Sequence, residues 1–163
     1  EGSPMAKAVK TNVLRHLDAL KIPYETKEYP VEDEQFDGMH AAAMTGLDPN
    51  MMFKTLVLCG DGQSHLVCCL PVNRELDLKA VARVSGNKKV VMLPQKELLP
   101  LTGYLRGGCS PIGMKKPFPT YVDASAEALP KIAVSAGVRG CQVILETKAL
   151  LDVVHAKLGA LCE

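Results

Sequence analysis

Tryptophan is absent from this chain, and its 163 residues include only four tyrosines and three phenylalanines. Apolar residues still make up 47% of the sequence and charged residues 23%, which is typical of a globular protein. Aliphatic side chains must therefore build the core, because large rings cannot supply its volume. A chain of this length favours a single domain that can bury such a core.

Long hydrophobic runs are also lacking. No apolar stretch is long enough to span a bilayer, and no signal peptide opens the sequence, so no membrane segment is expected. The first residues, Glu1-Gly2-Ser3-Pro4 before Met5, are typical of an expression-tag remnant. We therefore set residues 1–4 aside and expect residues 5–163 to form one domain.

The six cysteines lack the spacing of a disulfide framework or a zinc site. Cys68 and Cys69 are adjacent and the others are scattered, with no C-x-x-C pair and no histidine at ligand spacing. Most lie in apolar runs, which is typical of small buried side chains in a reducing compartment. The sequence therefore predicts no metal site and a cytoplasmic location.

The chain also lacks a strong charge imbalance, because its formal net charge is only +1. This value argues against broad, non-specific coating of nucleic acid and still permits a local basic groove. Phosphate-binding signatures are missing as well: neither G-x-x-x-x-G-K-[ST] nor G-x-G-x-x-G occurs. A P-loop or a dinucleotide-binding site is therefore not indicated.

Apolar periodicity and turn residues predict an irregular alternation of strands and helices. An Asp61-Gly62 pair between two apolar runs is a strong hairpin signal. Without regular βαβ repetition, the pattern favours an α/β or α+β domain with a largely antiparallel or mixed sheet. Helices are predicted at residues 7–20, 40–45, 76–84, 95–101, 124–129 and 148–161, and strands at 22–29, 53–59, 65–72, 90–93, 120–122, 131–135 and 141–145.

Lys54 interrupts the apolar strand predicted at residues 53–59. Because side chains alternate along a strand, Lys54 shares a face with Leu56 and Leu58. The simplest explanation is an edge lysine whose stem packs on the sheet while its ammonium reaches water. The alternative is a functional cation that holds a phosphate or another polar ligand group.

The segment from Gly103 to Lys116, GYLRGGCSPIGMKK, contains four glycines and is bracketed by cations. Paired glycines let a backbone approach a ligand, and successive N–H groups can form a concave anion or oxyanion site. A purely structural loop is the simpler explanation. Arg106, Lys115 and Lys116 are candidates for contact with a nucleic-acid backbone.

Cys109 and Ser110 are the nucleophilic side chains of this loop. A Cys–His enzyme needs a base within reach, and no histidine is near in sequence, although a distant one could approach in space. An inert, partly buried thiol is the favoured interpretation of Cys109. Ser110 has no G-x-S-x-G context, so a hydrolase nucleophile elbow is not indicated.

Tyr29 and Phe36 flank the acidic run Glu32-Asp33-Glu34. Local packing explains the two rings most simply, and the alternative is an aromatic wall on which a base or adenosine stacks. Ser135, which precedes Ala136-Gly137, is explained most simply as a turn former.

Three motifs occur in the order and spacing of the YbaK/EbsC family, which the chain resembles over almost its whole length: FKTL at residues 53–56, GGCSPIG at 107–113 and VSAG at 134–137. That family is similar to the editing domain of bacterial prolyl-tRNA synthetase. The paired-glycine loop resembles the YbaK branch, which comprises free-standing Cys-tRNA(Pro) deacylases. Each motif alone is weak, and their combination is specific.

The resemblance implies an α/β (α+β) editing-domain fold, with a mixed, strongly curved, partly barrel-like sheet decorated by helices. It implies deacylation of Cys-tRNA(Pro) without a metal or organic cofactor, prolyl-tRNA synthetase as a partner, and a monomer. Carried over position by position, it implies catalytic roles for Lys54 and Gly108 and substrate contacts for Tyr29, Phe36, Thr55, Ser110 and Ser135.

The mechanism proposed for that family has the substrate's own cysteine thiol attack its ester carbonyl and release a thiolactone. Such a site needs positioning and oxyanion stabilisation more than a protein nucleophile. Family members commonly carry an apolar residue where this chain has Cys109, which we expect to be inert. Two alternatives stay open: a deacylase for Ala-tRNA(Pro) or broader substrates that uses water, and a non-catalytic module that binds tRNA or a nucleotide.

Overall fold

The computed structural model describes residues 10–31 and 38–163. Helices and strands alternate along this part of the chain, as the sequence predicts. The helices are α1 (Asn12–Ala19), α2 (Gly38–Thr45), α3 (Leu78–Ser85), α4 (Leu98–Thr102) and α5 (Thr147–Val153). The strands are β1 (Glu25–Glu28), β2 (Phe53–Cys59), β3 (His65–Pro71), β4 (Val91–Met92), β5 (Thr120–Asp123), β6 (Lys131–Ser135), β7 (Cys141–Glu146) and β8 (Lys157–Gly159).

The described strands form two sheets. A five-stranded sheet has the order β4-β2-β3-β5-β8, antiparallel from β4 to β3 and parallel from β3 to β8. A three-stranded antiparallel sheet has the order β1-β7-β6. A mixed α/β architecture is therefore confirmed. The partly barrel-like sheet is not confirmed, because a single parallel bridge between Met52 and Ala133 joins the described sheets and no pairing closes them.

Local signals account for several helix ends. The Thr11 hydroxyl accepts a hydrogen bond from the Leu14 amide at 3.2 Å and begins α1. Asp77 caps α3 in the same way, and Gly86 ends that helix with φ 79°. Gly46, with φ 74°, follows the last residue of α2. These glycines end helices because only a residue without Cβ adopts the left-handed conformation at little cost.

Two apolar cores lie on opposite faces of β2. On one face Phe53 and Val57 pack with α1 and with the inner residues of β6 and β7. On the other face Leu58 packs with α3 and Leu161. Lys54 shares the second face with Leu56 and Leu58, as the strand alternation predicts.

The helix predicted at residues 148–161 is wrong in its second half. α5 ends at Val153, and His155 then adopts φ 52°, which turns the chain out of the helix. The following residues form β8, which pairs in parallel with β5. The spacing of Leu150, Leu151 and Leu158 fits a helix, but the unpaired edge of β5 offers backbone partners that apolar spacing cannot reveal.

Candidate active site

A cavity of about 630 Å³ is lined by residues of both sheets, among them Met52 of the bridge that joins the sheets. The glycine-rich loop and the start of α2 border the cavity as well. Its lining residues are Tyr29, Gly38, Met39, Ala41, Met52, Phe53, Lys54, Thr55, Leu56, Val57, Val72, Glu75, Met92, Leu93, Gln95, Leu98, Arg106, Gly107, Cys109, Ser135 and Gln142.

Lys54 and Thr55 reach this cavity from the open edge of β2. Among the described residues, β4 pairs with β2 only through Leu58 and Cys59, so the first half of β2 has no strand on that side. The half-buried side chain of Lys54 makes no hydrogen bond or ion pair with a described residue. Thr55 lies on the other face of β2 from Lys54, and its hydroxyl is 3.8 Å from the sulfur of Cys69, its register partner on β3. β2 therefore contributes the Lys54 ammonium and the Thr55 hydroxyl to the lining of the same cavity.

Ser135 and Gln142 form the facing wall. They are partners across the β6–β7 hairpin, and each is 7% exposed. The Ser135 hydroxyl accepts a hydrogen bond from the Gly137 amide at 3.0 Å. Oε1 of Gln142 is buried without a hydrogen-bond partner. The sequence interpretation missed Gln142, although a glutamine within the apolar run CQVIL is the signal that could have identified it.

The glycine-rich loop contributes Gly107 and Cys109 to the cavity, and not Gly108. The Gly108 amide donates to the Leu105 carbonyl at 2.9 Å. A Cβ at Gly108 would lie 3.0 Å from the Cα of Val138, so the loop packs directly on the turn that follows β6. Gly108 thus positions the two lining residues on either side of it.

Tyr104 and Asn12 hold the far side of the loop. The buried Tyr104 hydroxyl donates to the Ile112 carbonyl, and Asn12 Nδ2 donates to the Tyr104 oxygen at 3.2 Å and to the Gly113 carbonyl at 3.1 Å. Burial raises the pKa of Tyr104 above its ordinary value. Ser110 is fully buried and accepts from the Ile112 amide at 3.3 Å, outside the cavity lining. Ser110 therefore stabilises the conformation of the loop and does not line the cavity.

Cys109 is the thiol that faces the cavity. Burial raises the pKa of Cys109 to about 12, and the neighbouring Cys69 thiol adds to the rise. All six cysteines are free thiols. At neutral pH Cys109 is therefore almost entirely protonated, which makes it a poor nucleophile.

The predicted cations and aromatics separate into two groups. Arg106 and Tyr29 line the cavity, and Arg106 Nη1 donates to Gln95 Oε1 at 3.4 Å. Lys115 and Lys116 are exposed and outside the lining, and Lys115 Nζ donates to the Pro100 carbonyl at 3.3 Å. Phe36 lies outside the described residues.

The electrostatics of the lining favour an anionic ligand. Within the described lining, Lys54 and Arg106 are the cations, Glu75 is the carboxylate, and no histidine occurs. Such a set can bind a phosphate and position an ester, but it offers no imidazole as a general base.

No group of three or more His, Cys, Asp or Glu side chains in residues 10–31 and 38–163 is arranged to hold a metal ion. In the same part of the chain, each helix is too short or too polar to cross a membrane.

Comparisons with known proteins place this geometry in context. Residues 35–153 match the model of a family described as the aminoacyl-tRNA editing domain. A protein of Enterococcus faecalis (strain ATCC 700802 / V583) is 43% identical over 150 residues, which are 92% of each chain; it carries the provisional name Cys-tRNA(Pro)/Cys-tRNA(Cys) deacylase EbsC.

Two solved structures share the fold. A candidate trans-editing enzyme for prolyl-tRNA synthetase superimposes with a TM-score of 0.80 at 23% identity, covering 96% of this chain and 99% of its own. The hypothetical protein APE2540 superimposes with a TM-score of 0.83 at 18% identity, covering 94% and 100%. At these identities the likeness concerns the fold alone.

Proposed function

The chain belongs to the aminoacyl-tRNA editing domain family and is an aminoacyl-tRNA deacylase, and from this premise we propose that it clears cysteine from mischarged Cys-tRNA(Pro) in trans. The observation that carries the proposal is the cavity itself. Its described lining combines the half-buried Lys54, whose side chain has no hydrogen bond or ion pair with a described residue, with Ser135 and Gln142 of the other sheet, and its thiol, Cys109, has a pKa of about 12.

Lys54 is proposed to bind a phosphate of the tRNA terminus or to orient the terminal adenosine. A half-buried ammonium gains a charge-assisted hydrogen bond when such a group enters. Arg106 lies at the same cavity and adds to the positive potential. Tyr29 and Phe36 are proposed to flank the adenosine or the aminoacyl group, and Thr55 to offer it a hydroxyl.

The reacting groups are proposed to come from the substrate. The cysteine thiol, as its thiolate, forms an S–C bond with its own carbonyl carbon. The ester C–O bond then breaks, the ribose oxygen takes a proton, and a thiolactone leaves. Gly107 and Cys109, positioned by Gly108 and supported by Ser110, hold the carbonyl region, and Ser135 donates a hydrogen bond nearby. The protein supplies orientation and dipoles and no nucleophile of its own.

This mechanism explains how prolyl-tRNA(Pro) would be spared. A pocket discriminates between similar apolar groups by only about 1–3 kcal/mol per methylene. A requirement for the substrate thiol excludes proline by chemistry, independently of pocket size. Selection of the tRNA is proposed to come from prolyl-tRNA synthetase as a partner of the monomeric chain, since the net charge of +1 gives little general affinity for nucleic acid.

The deciding experiment measures deacylation of Cys-tRNA(Pro), Cys-tRNA(Cys), Ala-tRNA(Pro) and Pro-tRNA(Pro), with and without prolyl-tRNA synthetase. We expect both cysteinyl esters to be cleaved, a preference for Cys-tRNA(Pro) only when the synthetase is present, and alanyl and prolyl esters left intact. Mass spectrometry should detect the thiolactone as the first product, because free cysteine alone would also form by direct attack of water on the ester. Cleavage of Ala-tRNA(Pro) at a comparable rate would require water as the nucleophile. Binding of tRNA with no deacylation would contradict the proposed substrate.

A further inference from the structure

Gln142 is a buried polar side chain for which the proposed mechanism has no role. It lies on β7, it is 7% exposed, and it lines the cavity. Its Oε1 has no hydrogen-bond partner in the described part of the chain. Buried amide oxygens are almost always paired, because their desolvation is unfavourable otherwise. Gln142 lines the cavity while its Oε1 is itself buried, so a small rotation of the side-chain amide would bring this unpaired acceptor to a donor carried by a ligand.

Ser135 completes a two-point polar site beside it. As register partners across the β6–β7 hairpin, the two residues project from one face with Cβ atoms about 4.5–5.5 Å apart. The Ser135 oxygen already accepts from the Gly137 amide, which leaves its own proton to donate. The pair thus offers one acceptor and one donor, and neither carries a charge.

We propose that Gln142 Oε1 accepts a hydrogen bond from the α-amino group of the aminoacyl ester, so that the site recognises a free amine. This inference rests on the proposed function and deepens it. The α-amino group is the strongest donor near the reacting carbonyl. It is repelled by the cations Lys54 and Arg106, whereas the neutral amide of Gln142 attracts it.

The contact would orient the substrate as well as select it. Holding the α-amino group fixes rotation about the bond between the α-carbon and the carbonyl carbon. Rotation about the Cα–Cβ bond then remains as the one torsion that brings the side-chain thiol to the carbonyl carbon, so fewer conformations precede intramolecular attack. An ester whose amine is acylated, as in a peptidyl-tRNA, loses the charge and gains bulk at this point and is rejected.

The test compares two ligands that differ only in the amine. One ligand is adenosine that carries cysteine through a 3′-amide. The other carries 3-mercaptopropionate through the same amide, and neither amide can be cleaved. Calorimetry on the unmodified protein should show that the cysteinyl ligand binds roughly 10- to 100-fold more tightly, as expected for a hydrogen bond to a charged group. Equal affinity for the two ligands would overturn the proposal without any variant.

Gln142→Met removes the acceptor at nearly constant length, and Gln63→Met, in the exposed hairpin turn, is its matched control. The first variant should bind the cysteinyl ligand 10- to 100-fold more weakly and the mercaptopropionyl ligand unchanged. Equal weakening of both ligands would assign Gln142 a structural role. These binding results stand even if Cys-tRNA(Pro) is not cleaved, so failure of the proposed function and failure of this inference remain distinguishable.

Discussion

Gly108 and Val138 pack backbone against backbone: a Cβ at position 108 would lie 3.0 Å from the Cα of Val138. The glycine-rich loop is thereby joined to the turn between β6 and β7. The same hairpin carries Ser135 and Gln142. One close contact between two segments distant in sequence therefore sets the spacing between the loop and the polar wall of the cavity.

Gly108→Ala should destabilise the protein and lower its activity. The added methyl group meets backbone atoms of Val138 and Arg139, which cannot rotate away, so we expect a loss of about 1–3 kcal/mol in the free energy of unfolding. Urea unfolding and the deacylation rate measure the two effects. Gly62→Ala is the control. An alanine at the φ of 67° found at this position is strained, but no heavy atom lies within 4 Å of the added Cβ. It should lose stability and keep the activity of its folded fraction.

Lys54→Met should reduce kcat/KM for Cys-tRNA(Pro) roughly 10- to 100-fold, the usual range for losing one charge-assisted hydrogen bond. Methionine keeps much of the stem, so the thermal midpoint should change little. Lys79→Met, at an exposed position of α3, is the matched control and should be fully active. Unchanged activity of a folded Lys54→Met variant would leave this lysine as an ordinary edge residue.

Cys109→Ala should deacylate Cys-tRNA(Pro) within about twofold of the unmodified protein. With a pKa of about 12, only about one Cys109 thiol in 10⁵ is ionised at pH 7. Iodoacetamide should accordingly react slowly with Cys109 at pH 7, as peptide mapping can measure, and faster as the pH rises. If the folded variant is inactive, the protein thiol is the nucleophile and attack by the substrate thiol is excluded.

Arg106→Ala and Lys116→Ala should raise KM for tRNA substrates several-fold, and Lys116→Ala, which lies outside the cavity lining, should leave the hydrolysis of a cysteinyl-adenosine ester nearly unchanged. Each lost phosphate contact should reduce the slope of log affinity against log salt by about one. Arg83→Ala, at an exposed position of α3, serves as the control. Salt dependence identical to that of the unmodified protein would remove these cations from the tRNA-binding surface.

Local sequence signals predicted much of the backbone. The strand at Phe53–Cys59 has the predicted bounds, because alternation and the following Asp61-Gly62 turn are both short-range features. The last helix was predicted too long because the strand that replaces its second half depends on long-range pairing. β8 exists because β5 has an edge to pair with, and that edge is formed by distant residues.

The candidate site was predicted in part. Lys54, Thr55, Arg106, Tyr29 and Ser135 do line one cavity. Gly108, Ser110, Lys115 and Lys116 lie outside its lining. Phe36 falls outside the described residues, and its role stays a prediction.

The sequence by itself determined the strand that carries Lys54, the face to which that lysine points, and the glycines on which the loop depends. These follow from alternation and from the conformations that a residue without Cβ permits. Only the tertiary structure decided that the Gly108 amide is already hydrogen-bonded, that burial raises the pKa of Cys109 to about 12, and that Gln142 lines the cavity with an Oε1 that has no hydrogen-bond partner among the described residues. Hydrogen-bond pairing and burial depend on which distant segments meet, and no local pattern encodes that.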